Sequence, residues 1–212
     1  TNTASTGPQT SLWRQPSAVV ADGAGGCFVT GRLAGGEATF GSTTLTARNE
    51  HDMFVMRLDA KGAVEWAISG GGGTSNKGGT SIASDGAGGV FVAGQFGFGV
   101  QRGKTAIFGS TTLTSSGSFD WFIMQVNGTG VIEWAIRAGG SGDDRPASIA
   151  FDPASKGALV TGTFGCCTIT FGTPTTTLTS PDGDTETLAL IPSKVQTLVL
   201  KVDRYGSILW GA

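Results

Sequence analysis

Apolar and polar residues alternate along this chain in short bursts broken by Gly, Asp and Asn. That is the period of strands and turns, and no useful length carries a helical period. The alternation predicts strands over Ser81 to Ser84, Val90 to Phe96, Asp120 to Val126 and Val131 to Arg137, with Ala106 to Thr114 as an added hairpin or long loop edge. Strands of two kinds stand out. Cys27-Phe-Val, Val90-Phe-Val-Ala93 and Ala158-Leu-Val are continuously apolar, as expected where both faces are covered. Val64-Glu-Trp-Ala-Ile68 and Ile132-Glu-Trp-Ala-Ile136 place Trp and branched residues on one face and Glu with Ala on the other, a more exposed last strand.

The same pattern is written three times. Ser17-Ala-Val-Val-Ala-Asp22-Gly-Ala-Gly-Gly-Cys-Phe-Val-Thr-Gly31 returns at Ser81 to Gly94 and again at Ser148 to Gly162. Each copy continues with a Thr-rich segment, Thr39 to Thr46, Ile107 to Thr114 and Thr170 to Thr179, then an apolar run and a tryptophan: Trp66, Trp134 or Trp210. Gly31 to Gly94 is 63 residues and Gly94 to Gly162 is 68, so one supersecondary unit with loop-sized insertions is copied. The expected division is a lead over 1–16, units over 17–80, 81–147 and 148–212, and an insertion in the third at about 180–196. Ser11-Leu-Trp-Arg14 in the lead resembles the last strand of a preceding unit.

Two turns recur in each unit. Asp22-Gly-Ala-Gly-Gly26, Asp85-Gly-Ala-Gly-Gly89 and Asp152-Pro-Ala-Ser-Lys-Gly157 form one set; Asp59-Ala-Lys-Gly62, Asn127-Gly-Thr-Gly130 and Asp203-Arg-Tyr-Gly206 form the other. Asp or Asn caps such a turn through its side chain and the closing Gly supplies positive φ, so these acids read as turn formers. The repeat core is expected from Trp66, Trp134 and Trp210 with Phe28, Phe91 and Leu159, the tryptophans acting as wedges rather than ligand platforms.

The order S-I-A-x-D-x-x-G-x-V-F-V-x-G, T-x-F-G-x-T-T-L-T, D-x-F-x-x-x-V-x-x-x-G-x-x-x-W-A resembles the SBBP-type β-propeller repeat of surface and secreted proteins over nearly the whole chain. The resemblance implies four-stranded blades about an axis, a scaffold with no shared catalytic residue, and a place outside the cell or on its surface. The fold expected is thus all-β, a propeller-like array of three four-stranded antiparallel blades. The third unit departs by Thr197 at the position read as the Asp heading the third strand, and Trp121 is read as aligned with Met53 and Leu198. Closed propellers take about four to eight blades. Three therefore imply a piece of a longer array, a ring closed by another copy, or an open stack, and the start at Thr1 without Met agrees with a processed or excerpted chain.

Glycine makes up 36 of 212 residues, at fixed repeat positions rather than in a low-complexity tract. A formal charge of −2 with 14 Lys and Arg spread thinly is not the electrostatic footprint of a nucleic-acid binder. No apolar run approaches the roughly 18 residues of a membrane-spanning helix.

Candidate chemistry is sparse. Gly103-Lys-Thr105 fails the phosphate-loop pattern because Phe98 stands where Gly is required, and no helix follows. Asp182, Asp184 and Glu186 could offer oxygen ligands to calcium, but Thr187 and Ser193 occupy the Gly and Glu positions of an EF-hand loop, so a solvated acidic insertion is expected and no metal or cofactor. Adjacent Cys166 and Cys167 could form a strained disulfide or remain thiols, while Cys27 aligns with Val90 and Ala158 as a small hydrophobe. Asn127-Gly-Thr129 satisfies the N-glycosylation sequon at an expected hairpin tip. His51 is the single imidazole, no Gly-x-Ser-x-Gly elbow accompanies it, and the neighbours Asp143 and Asp144 lie in a Gly-rich connection unsuited to an acid pair. The expectation is a non-enzymatic scaffold whose partners are proteins, itself included, engaged through blade faces and Thr-rich hairpins. The alternative is a carbohydrate-binding propeller that uses Trp121 as an exposed aromatic.

Overall fold

The computed structural model describes residues 13–34, 36–48, 50–70, 73–97, 103–165, 170–171 and 196–211. These residues form seventeen strands and no helix. The first sheet is built from β1 (Trp13–Ala21), β2 (Cys27–Ala34), β5 (His51–Leu58) and β6 (Val64–Gly70), in the order β1-β2-β5-β6. Between β2 and β5, β3 (Glu37–Phe40) and β4 (Thr43–Thr46) make a separate hairpin. The second sheet repeats this plan with β7 (Asn76–Ser84), β8 (Val90–Gly97), β11 (Phe119–Val126) and β12 (Ile132–Gly139), and β9 (Thr105–Phe108) with β10 (Thr111–Thr114) form its hairpin. The third has β13 (Arg145–Asp152), β14 (Gly157–Phe164), β16 (Gln196–Val202) and β17 (Ile208–Gly211). The short β15 (Thr170–Phe171) pairs with Ala138 and Gly139 of β12, so the third unit lends a strand to the second sheet. All three sheets are antiparallel.

The turns form for the reason their sequence suggests. Asp22 Oδ1 accepts the Ala24 and Gly26 amides at 2.8 and 2.9 Å, and Asp85 Oδ1 accepts those of Ala87 and Gly89 at 2.8 Å each. Asp59, Asn127 and Asp203 do the same in the second set.

The sheets pack face to face. One apolar cluster joins Phe28, Met53 and Val55 of the first sheet to Val92, Phe122 and Met124 of the second, with Phe108 and Leu113 of the β9-β10 hairpin included. Another joins Phe91, Trp121 and Ile123 of the second sheet to Val160, Phe164, Leu198 and Leu200 of the third. The far face of the first sheet is covered by its own hairpin, which lays Ala38 and Leu45 on Leu33 and Phe54. Thr44 and Thr46 point outward while Leu45 is buried, and Thr112, Leu113 and Thr114 repeat this, so the two described Thr-rich hairpins clamp a sheet as well as presenting hydroxyls.

Several expectations change. The first sheet takes in Trp13 to Pro16, set apart above as a lead, and the second takes in Asn76 to Thr80. Strand pairing sets Gly31 opposite Phe54, Gly94 opposite Phe122 and Gly162 opposite Leu198. Gln196, not Thr197, therefore matches Asp52 and Asp120, and Trp121 matches Met53 and Thr197; a one-residue slip is easily made where no motif residue anchors the third unit. Phe28 and Phe91 are fully buried, but Leu159 is only half-buried because no described sheet covers that face of the third. Ala67 and Ala135, read as facing water, are buried beneath the hairpins. Trp66, Trp134 and Trp210 are each half-buried rather than interior.

Candidate functional site

The half-burial of the tryptophans has a structural cause. Trp66 closes the first sheet over Phe28, with ring centroids 5.9 Å apart, and its Nε1 donates to the Gly128 carbonyl at 3.0 Å in the Asn127-Gly130 turn of the second sheet. Gly130 closes that turn with φ 84°, and a β-carbon there would stand 3.0 Å from Trp66 Cδ2. The arrangement recurs one sheet later. Trp134 lies 6.0 Å from Phe91, its Nε1 donates to the Arg204 carbonyl at 2.9 Å, and Gly206 would bring a β-carbon within 2.8 Å of Cδ2. Glycine is required here for close approach as well as for backbone conformation.

Beneath each tryptophan, the residue opposite the Phe position reaches the Asp of the first turn. Arg57 pairs with Asp22 at 3.0 Å, Gln125 Nε2 donates to Asp85 at 3.1 Å, and Lys201 pairs with Asp152 at 2.8 Å. Arg57 Nη1 also reaches the Gly128 carbonyl at 3.4 Å. A tryptophan, a long polar side chain and a turn carbonyl thus form a seam between consecutive sheets, used twice.

The third use has only its two halves. Trp210 is the cross-strand neighbour of Lys201, which in turn lies opposite Leu159, and among the described residues its indole makes no hydrogen bond. In the first sheet the equivalent receiving turn, Asp59 to Gly62, has Gly62 at φ 80° with nothing within 4 Å of its β-carbon position. Val19, Ile82 and Ile149 share one register position, opposite Val29, Val92 and Val160. Ile82 is 7% and Ile149 6% exposed, each against the preceding sheet, whereas Val19 is 65% exposed.

A second constellation lies at the other end of the strands. Lys77 and Asp52 form an ion pair at 3.1 Å, both side chains fully buried, with Lys77 Nζ also donating to the Ser75 carbonyl at 2.6 Å and Asp52 accepting the Arg48 amide at 2.8 Å. Burial lowers the Lys77 pKa and the Asp52 charge opposes this. Nearby is a cavity of about 300 Å³ lined by Arg32, His51, Asn76, Lys77, Gln95 and Arg145. Burial and then the Arg32 charge lower the His51 pKa, which keeps the ring neutral at pH 7. Arg145 pairs with Asp143 at 2.8 Å and stacks over Phe119 at 4.8 Å. The lining offers hydrogen-bond donors more than nucleophiles.

At the next junction the register position of Lys77 is taken by Asp144, and that of Asp52 by Asp120. Asp120 pairs with Arg137 at 2.7 Å, and Gly139 separates the two carboxyls so closely that a β-carbon there would lie 2.6 Å from Asp120 Cγ and 2.8 Å from Asp144 Oδ2. Asp144 is buried and accepts the Gly140 and Gly165 amides at 2.6 and 2.9 Å. Burial, with Asp120 and Asp143 adding repulsion and the two amides opposing, pushes its pKa up to about 6. Asp144, expected only as one of two neighbouring acids in a Gly-rich connection, is thus buried; adjacent acids in such a stretch carried no signal of burial.

The folded chain holds the Asp144 proton more tightly than the unfolded chain. Its contribution to stability is therefore complete below the ordinary carboxylate pKa and is lost as pH rises through about 6. Across that window the loss is roughly 3 kcal/mol. Asp120, whose pKa burial also raises, acts in the same direction, and His51 in the opposite one. Urea unfolding of the wild type and of Asp144→Asn at pH 4.5 and 7 should show a fall with pH that is smaller in the variant. Equal slopes would mean that Asp144 is not buried in its charged form.

No protein-family model matches this chain. No curated protein matches it either.

The sites expected from sequence fare differently. Asp182, Asp184, Glu186, Cys166 and Cys167 lie outside the described residues. Asn127 is spent on its turn: Oδ1 accepts Thr129 and Val131 amides at 3.0 Å each, and Nδ2 donates to Glu133. Trp121 is fully buried, its ring 4.3 Å from that of Phe164, so it is no exposed platform for a sugar. The buried Lys77-Asp52 pair was missed, because the two residues hold different positions in consecutive units and meet only when the sheets pack.

Proposed function

We propose that this chain is a non-enzymatic interaction scaffold: three four-stranded units following one another as blades of a propeller-like array, which associates with protein through its two end sheets, outside the cell or at its surface. The observation that carries this reading is the seam, made twice inside the chain, whose remaining two halves, on the first and third sheets, are unjoined among the described residues. The resemblance to repeats of surface and secreted proteins supports the blade arrangement and the location. With Trp121 buried, no exposed aromatic at that position favours glycan binding.

Light scattering over a concentration series tests the proposal. The wild-type chain should show a mass above the 21.4 kDa of one copy. A variant with Val19→Asp and Leu159→Asp, one charge on each end sheet, should stay at the single-copy mass while keeping the wild-type circular dichroism. A wild-type chain that remains at 21.4 kDa throughout overturns association through the ends.

A further inference from the structure

We infer that the partner of the open third sheet is the first sheet of a second copy of this chain, joined by the same seam that joins the sheets within one copy. This rests on the scaffold reading above and gives it a specific contact. Trp210 donates its indole N–H to the Ala60 carbonyl of the other copy and lays its ring on Gly62. Lys201 approaches the same carbonyl, and Val19 is buried against the face that carries Leu159.

The indole hydrogen bond, the glycine contact and the burial of Val19 each have two precedents in the structure, and the approach of Lys201 has one. Ala60 takes the place in its turn that Gly128 and Arg204 take in theirs, and both of those carbonyls already accept a tryptophan N–H. Gly62 takes the place of Gly130 and Gly206, both pressed by a tryptophan ring, but has open space before it. Lys201 matches Arg57, whose guanidinium reaches the carbonyl of the next turn at 3.4 Å. Val19 matches Ile82 and Ile149, both buried by the sheet before them. Donor and acceptor halves sit on opposite ends of one chain, so the contact is heterologous: used once it leaves ends free, and used reciprocally it closes a pair. A reciprocal pair brings six sheets of four or five strands together, inside the range of about four to eight blades in closed propellers. Burial of the aromatic anchor and of Val19 supplies the apolar contact such an interface needs.

Isotope-mixed cross-linking decides the matter. Unlabelled and nitrogen-15 chains are mixed, cross-linked with a short amine-reactive reagent and digested. The expected product is a mixed-isotope peptide joining Lys61 of one copy to Lys201 of the other. Trp210→Ala and Val19→Arg should each weaken association about thirtyfold or more. Mixing the two variants should recover one intact contact and hence a pair, because each supplies the half that the other lacks. An associated species that lacks the Lys61-to-Lys201 product and is unaffected by Trp210→Ala overturns this docking while leaving the scaffold reading standing. A chain that stays single at its highest soluble concentration overturns both.

Discussion

Replacing Lys77 with methionine should destabilise the fold by about 3–5 kcal/mol, the usual cost of removing one partner from a buried ion pair. Lys77 is 1% exposed, and its ammonium sits 3.1 Å from Asp52 Oδ1 between the first two sheets. Methionine fits the same space but leaves a carboxylate in the interior without its counter-charge. The stabilising worth of the intact pair is a separate matter, because removing two charges from water offsets most of their attraction. Lys77→Met combined with Asp52→Asn should therefore recover a large part of the loss, and urea unfolding of the single and double variants measures the coupling. A single-variant loss under about 1 kcal/mol would show that Asp52 finds another cation or water.

Trp121→Ala should cost about as much, 3–5 kcal/mol, for a different reason. Trp121 is the largest fully buried side chain among the described residues and fills the junction between the second and third sheets, packed on Phe164 and crowding Gly162, where a β-carbon would meet Cζ2 at 2.5 Å. Truncation removes apolar contact and leaves a cavity that the rigid strands on both sides close only in part. Trp121→Phe should be far milder. The indole Nε1 is buried with no hydrogen-bond partner among the described residues, so phenylalanine keeps most of the apolar contact and removes an unsatisfied donor. Thermal or urea unfolding that ranks Phe close to wild type and Ala far below it confirms this packing. Equal costs for the two would point instead to the N–H.

Much of this architecture was legible in residue order. The strands Val90 to Phe96 and Asp120 to Val126 lie within one residue of those read from alternation. The Asp-headed turns bond as their composition indicates. These features depend on neighbours a few positions apart, and the repeat states them three times. The slip in the third strand of the third unit arose where that local statement is weakest: Gln196 replaces the Asp, and residues 172–195 break the count of positions.

Other features could not be read in this way. The tryptophans were recognised as structural, but not the turn carbonyls that receive them, because Trp66 and Gly128 are 62 residues apart and meet only when two sheets stack. Trp121 passed for a surface aromatic since the sheet that buries it comes later in the chain. Lys77 and Asp144 hold the same place in successive units with opposite charges, and their burial depends on what the preceding sheet sets beside them.

The sequence by itself determined the unit: its strands, its turns and its repetition, since backbone alternation, Asp capping and glycine conformation act over a few residues. Only the tertiary structure decided which faces are covered, which charges are buried and which halves of the seam are joined. Those properties belong to pairs of surfaces, and burial is settled where surfaces distant in the chain meet.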